Sequence, residues 1–176
     1  MNYNFKFIKN IEINSFIKKI ESLKEQDWYE WTFRQESFDV HKNTLTIPLI
    51  FDDDYRMKNP TYHKHYFTFK DEMNYIEKIF KTHYGEGQIL KSLLVNLKSN
   101  SSVLRHIDLD KSLVLAHRTH LPIITNKDVF FEINNEYKNL KSGELWEIDN
   151  SNKFHSVVNK SMFDRIHLIV DYLITK

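Results

Sequence analysis

Two polar segments in the second half of the chain carry residue types and spacings suited to holding a metal ion. His106 and Asp108 lie two positions apart, so on a β-strand both side chains would point to the same face. A polar turn at 149–154 then leads into His155, whose imidazole would complete a set of two histidines and one carboxylate from a facing strand. Such a set is typical of non-heme Fe(II) and leaves coordination positions open for reactants.

Arginine is scarce in this chain, which makes the position of each arginine informative. Only five of the 25 basic residues are arginine, so a retained guanidinium suggests that its planar geometry matters. Arg165 follows His155 after one strand and one turn, and we expect the two side chains to lie on neighbouring strands. Because arginine donates two parallel hydrogen bonds to a carboxylate, we expect Arg165 to hold the far end of a dicarboxylate whose 2-oxo acid end binds the metal.

A further polar pair lies between these segments, in an otherwise apolar stretch. Alternation along a strand would place Arg118 and His120 on one face, where a buried arginine needs an anionic partner. Two interpretations stay open for Arg118: a structural ion pair, or contact with a bound carboxylate.

The elements that would position these residues are short strands, each bounded by Asn, Ser, Asp or Lys. Strands this short and closely spaced favour a β-sandwich or jelly roll. The predicted strands lie near 92–98, 102–107, 112–123, 129–133, 144–149, 155–158 and 165–173.

The first 90 residues have a mixed pattern. Apolar residues at helical spacing predict helices at 14–26 and 70–82, and an apolar run predicts a strand at 45–51. We expect a single domain over residues 1–176, with a helical or mixed flank at 1–90 and a metal-binding β core at 91–176.

Composition excludes several classes of protein. The chain has no cysteine and only three glycines, which excludes disulfides, thiolate metal sites and Gly-rich nucleotide loops. A net charge of +1 does not favour electrostatic binding to nucleic acid or to an anionic membrane. No apolar run approaches the roughly 20 residues that cross a bilayer, and the first residues lack a signal-peptide pattern. We therefore expect a cytoplasmic protein, and the bias towards Lys, Asn and Ile suggests an AT-rich source such as a phage or virus.

Four segments together resemble a known family. They are HID at 106–108, HRTHLPI at 117–123, GELWEIDNSNKFHSVVN at 143–159 and DRIHLIVDY at 164–172. The pattern is similar to that of the aspartyl/asparaginyl β-hydroxylases, a family of Fe(II)- and 2-oxoglutarate-dependent dioxygenases. The segment at 31–51 more loosely resembles the N-terminal part of the free-proline hydroxylases of that family.

The resemblance implies a fold and a metal site. The fold would be mainly β, a double-stranded β-helix of the jelly-roll or cupin type with an N-terminal helical flank. His106, Asp108 and His155 would hold Fe(II) and form the catalytic centre. Some relatives lack the carboxylate ligand. Halogenation needs that coordination position free for a halide, so the presence of Asp108 argues against it.

The resemblance also implies a co-substrate and a reaction. Arg165 would bind the distal carboxylate of 2-oxoglutarate, and Arg118 and His120 would contact the same molecule; Val95 stands where some relatives have a serine contact. The reaction would consume O2 and 2-oxoglutarate, release succinate and CO2, and hydroxylate an unactivated C–H bond. The substrate would be an amino-acid unit, either free and proline-like or a peptidyl Asp, Asn or Pro. Neither nucleic acid nor membrane is expected as a partner, and the oligomeric state stays open.

Other interpretations of the same residues stay open. The chain could be a non-catalytic, cupin-like module that binds a small anion. It could also be a metal-dependent isomerase, or a dioxygenase that does not use 2-oxoglutarate, but these enzyme alternatives leave Arg165 unexplained. Arg34 and His41, with Trp28 and Trp31, could line a substrate mouth or pack the N-terminal flank. A metal site at the histidines of 62–66 is the weaker interpretation of that loop.

Overall fold

The computed structural model describes residues 3–175 and contains two antiparallel sheets. The larger sheet has the order β1-β9-β6-β11-β4-β2-β3, and the smaller has the order β5-β10-β7-β8. The strands are β1 (Phe5–Asn10), β2 (Thr44–Phe51), β3 (Thr61–Tyr62), β4 (Gly87–Leu97), β5 (Ser101–His106), β6 (His117–Ile124), β7 (Val129–Ile133), β8 (Glu136–Lys138), β9 (Glu144–Ile148), β10 (His155–Asn159) and β11 (Arg165–Ile174).

Helices accompany the first half of the chain and one loop of the second half. They are α1 (Asn14–Glu21), α2 (Phe33–Ser37), α3 (Lys70–Tyr84) and α4 (Lys111–Leu115), with short 3-10 turns at Glu25–Trp28, Asp39–His41 and Lys64–Tyr66. Over the described part of the chain, no helix has both the length and the apolar content to span a membrane.

One face of the larger sheet is covered by helices. Phe16 of α1 and Met73 and Ile76 of α3 belong to the same buried cluster as Leu94 and Leu168 of the sheet. The buried positions of α3 recur at helical spacing, which gives the helix its apolar face. Burying a large apolar side chain stabilises a fold by about 1.5–3 kcal/mol, so this layer anchors the larger sheet.

The other face of the larger sheet packs against the smaller sheet. Leu97 and Ile148 from the larger sheet share a buried cluster with Val103, Phe131 and Val157 from the smaller one. This layer between the two sheets is the interior of the double-stranded β-helix, and the polar site lies within it.

Alternation along β11 divides its residues between these two layers. Residues 166, 168, 170 and 172 join the cluster under the helices. Arg165, His167 and Asp171 are therefore directed to the opposite face, and each is 1–2% exposed. A single strand thus supplies three buried polar side chains to the layer between the sheets.

The predicted fold class is confirmed: the chain is mainly β, with paired antiparallel sheets and a helical N-terminal flank. The first 90 residues also contribute β1, β2 and β3 to the larger sheet. The predicted strand at 45–51 is β2, and its pairing with β4 shifts register between Pro48 and Ile50, because proline has no N–H to donate to the ladder.

Two predicted elements were wrong in their extent. The strand predicted at 112–123 begins only at His117, because residues 111–115 form α4. The Asp110 side chain accepts a hydrogen bond from the backbone N–H of Ser112 at 2.8 Å, and this N-cap favours a helix over the strand preference of the Val and Leu that follow. The helix predicted at 14–26 ends at Glu21, and a separate 3-10 turn follows.

Candidate metal centre

The two sheet histidines of the predicted metal set face each other across a strand pair. His106 of β5 lies opposite His155 of β10, and their ring centroids are 4.2 Å apart. Asp108 follows the end of β5, where its backbone N–H donates to the carbonyl of Asn150 at 3.1 Å. This contact ties the loop after β5 to the turn before β10 and brings the carboxylate to the histidines.

The three predicted ligands form one compact group. The Nε2 of His106 is 3.7 Å from Oδ1 of Asp108, and the Nε2 of His155 is 4.0 Å from Oδ2. Taken together, one ligand atom from each residue lies within 4.8 Å of the other two. This spacing suits three ligands of a single ion.

The second ring nitrogen of each histidine is directed at a backbone carbonyl. Nδ1 of His106 lies 2.7 Å from the Leu104 oxygen, and Nδ1 of His155 lies 3.3 Å from the Lys153 oxygen. An Nδ1–H donated to a carbonyl leaves Nε2 with a free lone pair for a metal. Burial lowers the pKa of His155 to about 4, although Asp108 opposes the shift, so its imidazole is neutral at neutral pH, as metal binding requires.

Two donors hold the carboxylate of Asp108. Arg118 donates from Nη1 and Asn150 from Nδ2, each at 2.7 Å and each to Oδ2. Burial alone would raise the pKa of Asp108, but the positive charge of Arg118 and the hydrogen bond from Asn150 outweigh it and keep this pKa well below its ordinary range. The carboxylate is therefore ionised and fixed in orientation.

Arg118 connects the metal group to a second buried carboxylate. Its Nε and Nη2 donate to the two oxygens of Asp171 at 2.7 and 2.8 Å, while Nη1 reaches Asp108. Burial disfavours the charged guanidinium, but Asp171 and Asp108 outweigh it and raise the pKa of Arg118 above its ordinary value. These contacts are those of the structural ion pair considered from the sequence.

A narrow inner cavity of about 40 Å³ beside the metal group is lined by Arg165. This arginine is 2% exposed, and its Nη2 lies 2.5 Å from Nδ1 of His167. Within residues 3–175 its Nε has no hydrogen-bond partner. Burial, reinforced by the charge of Arg34, lowers the pKa of Arg165 to about 9. A buried cation without a counter-charge is unfavourable, so this wall of the cavity is suited to an anion.

Two buried histidines lie near Arg165, and of these His120 lines the inner cavity. Nδ1 of His120 and Nε2 of His167 are buried and have no hydrogen-bond partner in the described chain. The ring centroid of His120 lies 5.1 Å from that of Phe131 and 5.8 Å from that of His167. Burial lowers the pKa of both histidines well below the ordinary value. The neutral imidazole of His120 can hydrogen-bond a carboxylate in this cavity without adding charge.

A larger outer cavity of about 570 Å³ opens from the same group. Arg34, His41, His106 and Arg118 line both cavities. A volume of this size is typical of small-molecule sites. The metal group thus lies where a small inner space meets a larger outer one.

The four N-terminal residues considered for a substrate mouth or for packing of the flank fall into two pairs. Arg34 donates from Nη2 to Nε2 of His41 at 2.9 Å, and both line the outer cavity. Trp28 belongs to the core under the helices, and the ring centroid of Trp31 lies 5.1 Å from that of Phe51. The arginine and histidine therefore face the cavity, while the tryptophans pack.

Three contributors to the site had no assigned role from the sequence. Asn150 binds Asp108, Asp171 binds Arg118, and Lys91 lines the outer cavity. The signal in the sequence was a charged residue inside an apolar strand, since Lys91 lies in ILKSLLV and Asp171 in LIVDYL. Their partners follow from the order and register of strands, which residue spacing alone does not give.

Comparisons with known protein sequences identify one family. The profile of the family described as aspartyl/asparaginyl β-hydroxylase matches residues 12–174. No curated protein sequence matches the chain significantly.

Several solved structures share the fold. A 2OG-Fe(II) oxygenase family oxidoreductase from Burkholderia pseudomallei aligns with a TM-score of 0.60 and 12% identity over 74% of this chain and 67% of that one. The non-heme monooxygenase ThoJ, in a nickel complex, gives a TM-score of 0.56 and 11% identity over 97% and 74%. A prolyl-4-hydroxylase from Pseudomonas putida gives a TM-score of 0.52 and 8% identity over 99% and 94%. At these identities the likeness establishes the fold.

The family match and the geometry of the site lead to one classification. The match spans nearly the whole chain and supports an oxygenase or hydroxylase kind of function. The buried group of two histidines and one aspartate suggests iron binding. The chain belongs to the aspartyl/asparaginyl β-hydroxylase family.

Proposed function

We propose that this chain is an Fe(II)- and 2-oxoglutarate-dependent hydroxylase that acts on an amino-acid unit, either a free, proline-like amino acid or a peptidyl Asp, Asn or Pro. The observation that carries the proposal is the combination of two neighbouring features. His106, Asp108 and His155 offer three ligand atoms within 4.8 Å of one another. Arg165 lines the adjoining cavity, and its buried Nε has no hydrogen-bond partner among the described residues.

The donor set fits Fe(II). Two neutral imidazoles and one carboxylate are the facial set of non-heme iron oxygenases, which leaves positions for a co-substrate and O2. When bound, the iron activates O2, and 2-oxoglutarate supplies two of the electrons that O2 requires. Asn150 and Arg118 hold the carboxylate of Asp108 in orientation, as residues around metal ligands commonly do.

The inner cavity fits the distal carboxylate of 2-oxoglutarate. Arg165 would donate two hydrogen bonds to it, and His120, which lines the same cavity, offers an Nδ1 that has no partner in residues 3–175. Apolar side chains of Val103, Phe131 and Val157 line the rest of this cavity. They exclude water, which strengthens the charge-assisted hydrogen bonds of the arginine.

The overall reaction balances without a further reductant. One oxygen atom of O2 enters the substrate as C–H becomes C–OH, and the other enters succinate as 2-oxoglutarate loses CO2. The outer cavity, with Arg34 and His41 on its wall, would hold the substrate beside the metal group.

Succinate release tests this function directly. Protein supplied with Fe(II), 2-oxoglutarate and O2 should form succinate slowly without substrate and faster when a substrate is present in an amino-acid and peptide screen, with a mass gain of one oxygen in the product. The absence of succinate under every condition would contradict the proposal.

The non-catalytic alternative is favoured by one observation: the Nε of Arg165 has no hydrogen-bond partner among residues 3–175, and this arginine would also bind a small anion without a metal. Thermal melting separates the two, because a ligand that binds only the folded state raises Tm. The hydroxylase should be stabilised by 2-oxoglutarate only when a divalent metal is present. Equal stabilisation in a metal chelator would indicate the anion-binding module.

A further inference from the structure

Lys91 is a buried lysine in the wall of the outer cavity. It lies on β4, is 6% exposed, and lines the cavity together with His106 and Asp108. Its Nζ donates one hydrogen bond, to Oγ of Ser112 at 2.9 Å. An ammonium carries three N–H donors, and the described residues provide no carboxylate at ion-pair distance from this one.

The carboxylates around Lys91 form no ion pair with it in the described part of the chain. Asp171 lies opposite Lys91 in the β4–β11 register, but both of its oxygens accept hydrogen bonds from Arg118. Asp110 accepts from the backbone N–H and the hydroxyl of Ser112, and Asp52 accepts from a backbone N–H. Burial lowers the pKa of Lys91, and Asp171, Asp110 and Asp52 oppose this shift only from longer range.

The surroundings of the ammonium are aromatic. Its Nζ lies 5.4 Å from the ring centroid of Phe51 and 5.6 Å from that of Tyr55. Phe33 and Phe38 line the same cavity. The cavity therefore places the Lys91 ammonium, together with the guanidinium groups of Arg34 and Arg118, beside an apolar wall, which is the lining expected for an organic acid with an apolar body.

The sheet fixes the distance between Lys91 and the metal group. Lys91, Asp171 and Arg118 stand in one row across β4, β11 and β6, and Arg118 bonds to Asp108. Neighbouring strands lie about 4.8 Å apart, so the backbones of Lys91 and Arg118 are separated by about 10 Å. A small molecule anchored at Lys91 would reach the metal group with its other end.

We propose that Lys91 is the substrate anchor and that the substrate carries a carboxylate, which Lys91 binds while the carbon to be hydroxylated lies beside the metal group. As a statement about the substrate, this rests on the proposed function. Two kinds of substrate present such a carboxylate: a free small acid, and a peptide with an aspartate side chain. The neutral side chains of peptidyl asparagine and proline do not fit this anchor.

Matched pairs of acid and amide test the proposal in metal-free protein. The free pair is 3-phenylpropanoate with 3-phenylpropanamide. The peptide pair is N-acetyl-Ala-Asp-Ala-amide with its Asn counterpart. Ligand-observed NMR titrations of wild type should show that the acid of at least one pair binds about tenfold more tightly than its amide, because one charge-assisted hydrogen bond is lost in the amide. The pair that shows the preference identifies the source.

Variants assign the preference to one side chain. Lys91→Met and Lys91→Gln should remove it, whereas Lys78→Met, which changes an exposed lysine of α3, should keep it; melting curves verify that each variant is folded. Equal binding of acid and amide in both pairs by wild type overturns the proposal without any variant. A preference that survives in a folded Lys91 variant also overturns it.

The outcome is separable from that of the hydroxylase proposal because no metal is present in the titration. An acid preference that depends on Lys91, in a protein that never forms succinate, would support the anion site and remove the hydroxylase assignment. Succinate formation without any acid preference would leave the hydroxylase and overturn the anchor.

Discussion

Within residues 3–175, two groups of histidine and carboxylate side chains bring three ligand atoms within 4.8 Å of one another: His106, Asp108 and His155 in one, and Asp27, Glu30 and His65 in the other. In the second group, Lys64 already provides the positive charge, with Nζ 3.3 Å from Asp27 and 3.0 Å from Glu30. Glu30 is half exposed there. In the first group all three side chains are at most 16% exposed.

The contrast shows that proximity of ligand atoms does not by itself define a metal site. The first group has both spare imidazole nitrogens directed at carbonyls and a carboxylate oriented by two donors. In the second, Asp27 accepts from the backbone N–H of Lys24 and from a lysine that already neutralises it. Arg118 pairs with the single carboxylate of the first group and is shared with Asp171, whereas Lys64 contacts both carboxylates of the second group and competes with an ion for each. Ligands held in orientation by their neighbours therefore favour an ion in the first group.

The largest expected effect comes from removing one ligand of the first group. His155→Ala should weaken Fe(II) or Mn(II) binding by at least about 100-fold, since even changes to groups around metal ligands cost 10–100-fold. Isothermal titration calorimetry measures this. His65→Ala is the matched control from the second group and should retain one tight metal equivalent. Loss of metal binding in His65→Ala, with retention in His155→Ala, would show that the second group holds the metal and would contradict this prediction.

Arg165→Met should act on the co-substrate and leave the metal in place. Loss of one or two charge-assisted hydrogen bonds is expected to raise the KM for 2-oxoglutarate by about 10–100-fold, with Mn(II) affinity unchanged. Steady-state succinate assays provide the measurement. An unchanged KM for 2-oxoglutarate in the folded variant would contradict the proposed role of Arg165 in binding this co-substrate.

The pH dependence of stability follows from burial of the first group. The unfolded chain protonates His155 near its ordinary pKa of 6.5, but the folded chain does so only near a pKa of about 4. The unfolded state therefore binds more protons in between, and the free energy of unfolding of metal-free protein should fall as pH is lowered from about 6.5 to about 4. Denaturant titrations at stepped pH should show a shallower fall in His155→Gln; identical slopes would contradict this assignment.

The smallest expected effect is that of Lys64→Met in the second group. With the ammonium gone, the partly exposed Glu30 and the capped Asp27 should still hold no ion tightly, so the metal stoichiometry should stay at one. Equilibrium dialysis with Mn(II) tests this. A second equivalent in this variant would show that Lys64 alone separates the two groups.

Much of the first group could be predicted from sequence because its rules are local. The family pattern identifies all three ligands and Arg165. Strand alternation was expected to align His106 with Asp108, but β5 ends at His106 and the loop contact of Asp108 with Asn150 brings the carboxylate to the histidines instead. The partners of Arg118 could not be predicted in this way, because Asp171 reaches it through the register of β6 with β11.

The errors in the fold have a similar origin. The edge strand β1 (FKFIKN) alternates apolar residues with lysines and pairs with β9, which lies more than 130 residues later. Helix α4 was predicted as strand because its N-cap at Asp110 outweighs the preference of the residues that follow. Strand pairing and helix capping depend on which atoms meet in the folded chain as well as on residue type. The spacing of apolar residues in the sequence therefore did not predict β1 or α4.

The central claim is that one buried group of two imidazoles and one carboxylate holds the iron. A crystal structure with Mn(II) and N-oxalylglycine, an unreactive analogue of 2-oxoglutarate, tests it most directly. We predict a single ion about 2.0–2.3 Å from Nε2 of His106, a carboxylate oxygen of Asp108 and Nε2 of His155, with the distal carboxylate of the analogue on Arg165. An ion bound by Asp27, Glu30 and His65 instead, or the analogue bound away from Arg165, would contradict the account.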